Sequence, residues 1–149
     1  MSQPEIFLSY AGEDGFEAAL LQLCLERVLE DLNVRVWTYE RDQSGTERSV
    51  ASGLRDRMRD SVAAIILISP HTLDGGATQW MELAYADAFG RPTFLLLHHL
   101  TYDQLKKSER GVPPLVLQGQ CVPARDWRTL EGELRSACAP PPAKGNDAL

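Results

Sequence analysis

Apolar and polar positions along the chain fall into two repeating patterns: short continuous apolar runs, and longer stretches with an apolar residue every third or fourth position. Ile6-Phe7-Leu8 is the first run and predicts a strand. From Phe16 to Leu32 the residues Leu20, Leu21, Cys24, Leu25, Val28 and Leu32 recur at helical steps, which predicts a helix with one buried stripe. Val34 to Trp37 reads as a second strand, and Val50, Leu54 and Met58 mark a second helix. The polar segment between them, Thr38 to Arg48, contains Gly45 and reads as a loop. Ala63 to Ile68 is apolar at every position, as expected of a central parallel strand covered on both faces.

The second half continues the alternation. Ser69-Pro70 breaks the central strand, and Asp74-Gly75-Gly76 predicts a sharp turn. A third helix is expected from Thr78 to Phe89, stopped by Gly90-Arg91-Pro92. Thr93 to Leu97 is a fourth strand and Thr101 to Ser108 a short helix; either Leu115-Val116-Leu117 or the stretch reaching Val122 supplies a fifth strand. Trp127 to Cys138 predicts a closing helix, with Trp37 and Trp127 as packing residues. The stretch from Pro140 has little to bury, so residues 1–139 read as one α/β domain and 140–149 as a Pro-rich linker or disordered tail.

Charge and cysteine usage narrow the function classes. A net charge of -6 weighs against direct binding of nucleic acid or an anionic membrane. The mixed run Arg55 to Asp60 reads as a solvated helix face. Cys24, Cys121 and Cys138 are too far apart for a metal-ligand spacing and odd in number, which fits a reducing, cytoplasmic setting. No apolar run approaches the ~18 residues of a membrane span. The adjacent His98 and His99 are poor geometry for one metal.

In an open parallel sheet, right-handed crossovers bring every strand-to-helix loop to one edge. Ser9 to Gly15, Thr38 to Ser49, Ser69 to Gln79 and His98-His99 therefore converge, and Glu82, expected to open the third helix, meets the turn Ser9-Tyr10-Ala11-Gly12-Glu13-Asp14. An acid in a first helical turn is favoured in its ionised form by about 0.3 to 1 kcal/mol, and it is also simply a good helix starter. Asp14 is placed to cap the first helix. The Gly-x-Gly-x-x-Gly dinucleotide pattern is absent after the first strand.

These segments carry a resemblance to the Toll/interleukin-1 receptor (TIR) domain family. It rests on Ile6 to Asp14, the Val34 to Trp37 strand, Arg41-Asp42 with Gly45, Ile65 to Pro70, Trp80-Met81-Glu82-Leu83 and Gly90-Arg91-Pro92, and covers about residues 5 to 138. The resemblance implies a flavodoxin-like three-layer fold around a parallel five-stranded sheet. Some members, notably in bacterial defence proteins, cleave NAD; others are adaptors. The glutamate of the enzymatic members corresponds to Glu82, which implies an NAD glycohydrolase releasing nicotinamide and ADP-ribose or a cyclic variant, with NAD as substrate and no cofactor or metal. The alternative is a noncatalytic self-association and signalling module.

By the same resemblance, Tyr10 and Ala11 line the nucleotide pocket and the Thr38 to Ser49 loop mediates self-association; Ser69 is a candidate for the pocket floor or simply ends a strand, and Arg41 is a candidate to pair with a phosphate or a neighbouring copy or is a solvated loop charge. Likeness to antiphage effectors implies activation by oligomerisation and leaves room for a downstream nucleotide-sensing domain. Many members place a tryptophan four residues before the glutamate; here Trp80 stands two before it, about 200° away on a helix. Either Trp80 precedes the regular helix and turns back to the pocket, or it belongs to the core.

Overall fold

The computed structural model describes residues 3–38, 47–75, 77–108 and 111–139. Among them, strands β1 (Glu5–Ser9), β2 (Arg35–Trp37), β3 (Ala63–Ile68), β4 (Thr93–Leu97) and β5 (Gln120–Pro123) form one parallel sheet in the order β2-β1-β3-β4-β5. The helices are α1 (Gly15–Val28), α2 (Glu47–Asp60), α3 (Pro70–Gly75), α4 (Ala77–Ala88), α5 (Tyr102–Lys106), α6 (Pro114–Gln118) and α7 (Glu131–Cys138). This is the flavodoxin-like α/β architecture, with its topological switch point between β1 and β3.

The period-two rule of strands sorts the core into layers. Ile6, Leu8, Ile65, Leu67, Phe94 and Leu96 pack with Leu21 and Leu25 of α1 and Leu134 and Cys138 of α7. Their strand neighbours point the other way: Ile66, Ile68, Leu95 and Leu97 meet Leu83 of α4, while Phe7 and Ala64 meet Leu54, Met58 and Ala86. All six residues of β3 are buried, which explains its uninterrupted apolar sequence. Trp37 is fully buried and Trp127 packs at the margin of the α1-side core.

Several boundaries differ from the pattern-based expectation for local reasons. The first helix buries Leu21 and Leu25 but leaves Leu20 and Cys24, expected in its buried stripe, exposed. It ends at Val28; a short 3-10 turn, Glu30–Leu32, follows, and Asn33 in the left-handed region (φ 54°) redirects the chain into β2. The expected turn at Asp74-Gly75 is instead the end of α3, with Gly76 outside the described residues. Leu115-Val116-Leu117 is helical, not a strand, because Pro114 sits at the first helical position, where its fixed φ favours a helix. The strand lies just beyond, at Gln120–Pro123. The closing helix begins only at Glu131; Trp127 belongs to the preceding 3-10 segment, Ala124–Leu130. Gly90 (φ 67°) terminates α4 as expected, with Gly90 N–H donating to Asp87 and Arg91 N–H to Ala86. In the Arg55 to Asp60 run, Arg59 and Asp56 form an exposed pair, Met58 is buried, and Arg57 reaches Glu5 at 3.0 Å.

No described helix is long and apolar enough to cross a membrane.

Candidate functional site

The carboxyl edge of the sheet carries two buried polar pairs, one on each side of the switch point. Ser9 ends β1 with its side chain on the same side as Phe7, toward α4. There its hydroxyl donates to Glu82 Oε1 at 3.3 Å, and both residues are buried. The meeting of the first-strand turn with this acid, expected from topology, is present.

The placement of Glu82 on its helix is not as expected. The helix starts at Ala77, its first turn holds no acidic residue, and Glu82 lies in the second turn at 7% exposure. The field of a helix end fades within its first turn, so it cannot favour ionisation here. Loss of water dominates: burial raises the Glu82 carboxyl from its ordinary value of 4.5 to about 8, opposed only partly by the Ser9 hydrogen bond. In this state the carboxyl holds its proton at neutral pH, contrary to the ionised form read from the sequence.

The second pair lies on the α1 side. Asp14 occupies the N-cap position of α1, but its side chain caps nothing; instead it is buried and accepts a short hydrogen bond from the Ser69 hydroxyl. Ser69 Oγ also accepts from His71 N–H at 3.1 Å, and Thr72 Oγ1 accepts from Ser69 N–H at 3.1 Å. Gln79 Nε2 donates to the Leu67 carbonyl at 2.8 Å. Backbone polar groups at a buried strand end need partners, and here side chains of α3 and α4 supply them.

The other expected site residues separate into three groups. Tyr10 and Ala11 sit at the β1 edge, partly buried, Tyr10 against the α1-side core and Ala11 accepting from Asp14 N–H at 2.8 Å. Arg41, Gly45 and most of the Thr38 to Ser49 loop lie outside the described residues. Trp80 lies inside α4, so it does not precede the regular helix; it packs partly buried against the cluster containing Ile66, Ile68 and Leu83. Tyr85 and Phe89, which share the helical face of Glu82, pack beside Phe7 and Trp37 instead.

Two contributors were missed from sequence. Gln79 lies three residues before Glu82 and so on the same face of α4, a spacing that was legible. Glu17 meets His98, Oε2 to Nε2 at 3.2 Å, a contact across 81 residues with no local signal. Taken together, the edge can hold a proton near neutrality on an acid that a cationic group would readily ionise, an arrangement common at functional sites.

Comparison with known proteins places this geometry. The family described as TIR domain matches residues 6–130. No curated protein gave a match. Among solved structures, the TIR domains of the activated Roq1 resistosome that recognises the effector XopQ align at TM-score 0.55 and 16% identity, over 91% of this chain and 81% of that one. A prokaryotic SEFIR domain aligns at TM-score 0.51 and 12% identity, over 94% and 95%. A 2-desoxiribosyltransferase from Leishmania mexicana aligns at TM-score 0.51 and 14% identity over 63% of this chain, which spans 64% of that enzyme. At these identities the structural likeness speaks to fold. With the family match covering β1 through the segment after β5, and the β2-β1-β3-β4-β5 parallel sheet beneath it, the chain belongs to the TIR domain family.

Proposed function

We propose that this domain cleaves the nicotinamide-ribose bond of NAD, with Glu82 as the catalytic carboxylate. The observation that carries the reading is a buried acid at the carboxyl edge, beside the switch point, held by Ser9. The scissile C1′–N bond breaks with its electron pair leaving on nicotinamide, which departs neutral from a pyridinium and needs no acid. Positive charge develops on the ribose, and an ionised carboxylate stabilises it. Water then adds to C1′ and loses a proton, giving ADP-ribose; attack by the adenine end gives a cyclic product. Glu82 must release its proton for this role, and the cationic nicotinamide ring of the substrate favours that release. Tyr10 and Ala11 are assigned to the nucleotide pocket by family resemblance, Ser69 and Arg41 are placed beside them as further candidates, and Trp80, packed against Ile66, Ile68 and Leu83, is left to the core.

Nicotinamide release by concentrated protein, followed against pH, tests the reading. The kcat/KM profile reports the free enzyme, so activity is expected to rise with pH through about 8 and to vanish in Glu82→Gln. Equal turnover in both proteins removes Glu82 from the reaction.

A second reading, a noncatalytic self-association module, rests on a different observation. Phe16, Leu20 and Leu23 stand 74%, 48% and 62% exposed at four- and three-residue spacing, forming an apolar stripe along α1. This surface would join copies of the chain in either reading, alongside the Thr38 to Ser49 loop. Sedimentation of wild type and Leu20→Glu decides: loss of assembly with no nicotinamide release at any concentration supports the module, and unchanged assembly dismisses the stripe.

A further inference from the structure

We infer a second ligand site, for a mononucleotide-sized aromatic phosphate, in a cleft at the carboxyl ends of β4 and β5 whose lining does not include Glu82. The cleft has a volume of about 860 Å³, within the span of small-molecule sites. Leu97, Leu100 and Leu117 give it an apolar wall, and Tyr102 adds an aromatic ring whose hydroxyl is tied to the Leu117 carbonyl at 3.3 Å. A planar body fits such a lining.

Charge selects the sign of the ligand. In a chain of net charge -6, none of the described residues lining this cleft is Asp or Glu, whereas Arg125 and two histidines are among them. His98 is engaged by Glu17. Thr101 and Gln104 satisfy each other's backbone groups in the capping box of α5. Arg125 and His99 make no hydrogen bond or ion pair among the described residues, the His99 ring lying 4.1 Å from that of His98, and their polar groups are open to a ligand. Arg125 keeps its charge at any working pH and its planar fork suits a phosphate. His99 holds the left-handed backbone (φ 54°) that residues other than glycine rarely adopt, a strain that collects at ligand clamps.

Calorimetric titration of the whole chain with AMP, adenosine and inorganic phosphate tests the site. AMP is expected to bind one to one, with adenosine and phosphate each at least tenfold weaker. Arg125→Ala should weaken AMP by roughly tenfold or more, the scale of a lost charge-assisted contact. His99→Asn should also weaken it, while asparagine tolerates the backbone there, and an unchanged thermal midpoint in both variants shows that the fold is intact. Glu82→Gln should bind AMP as wild type does. The inference is overturned by equal affinity in the Arg125 and His99 variants, by absence of AMP binding at millimolar concentration, or by loss in Glu82→Gln, which would place AMP at the Glu82 edge. Nicotinamide release from NAD is a separate readout, so neither proposal falls with the other.

Discussion

Glu82→Gln measures what burial does to this carboxyl without reference to any substrate. The folded group titrates at about 8 and the ordinary value is 4.5. Between these values the folded chain keeps a proton that the unfolded chain has released, so stability declines as pH rises and levels off above about 8. At about 1.4 kcal/mol per pH unit, the cost of keeping Glu82 is ~3 kcal/mol at neutral pH and ~5 kcal/mol when fully developed. Below 4.5 the carboxyl is protonated in both states and the cost disappears. Glutamine does not titrate, has nearly the same volume and still offers an oxygen to Ser9. Urea unfolding at about pH 5, 7 and 9 should therefore give similar stabilities at the acid end and a growing advantage for the variant. For a domain of this size the neutral-pH difference corresponds to roughly 6 to 12 °C in Tm. Stability curves that run parallel across this range would refute the assignment of a raised carboxyl pKa.

Two further substitutions probe the surroundings. Ser9→Ala removes the hydroxyl that holds the Glu82 pKa down, so the nicotinamide-release profile should move to higher pH and stability should fall by about 1 to 3 kcal/mol; an unmoved profile separates Ser9 from the acid. Gly119→Ala places a methyl group 2.7 Å from Leu95 Cδ1, in a core position 1% exposed, and urea unfolding should show a loss of about 1 to 3 kcal/mol; an unchanged midpoint would mean that Leu95 moves aside freely.

What could be read from the sequence followed how local the cause was. Ala63 to Ile68 and Thr93 to Leu97 are strands with the boundaries expected, because their residues carry their own burial signal. The fifth strand was ambiguous because Leu115 to Leu117 is equally apolar, and only the proline before it decides for a helix. At the site, topology alone brought the β1 turn to Glu82. The protonation of that acid was not legible, because it depends on how completely α4 seals against the sheet, a tertiary quantity. The Asp14 side chain likewise passed over its local capping role for Ser69, 55 residues away.

The helix that displays Phe16, Leu20 and Leu23 begins beside Asp14, which is fastened to Ser69 beyond the end of β3, and one turn later Glu17 grips His98 beyond β4. A neighbour clasping that oily ridge would thus take hold of a stiff lever with two anchors at the sheet's working rim.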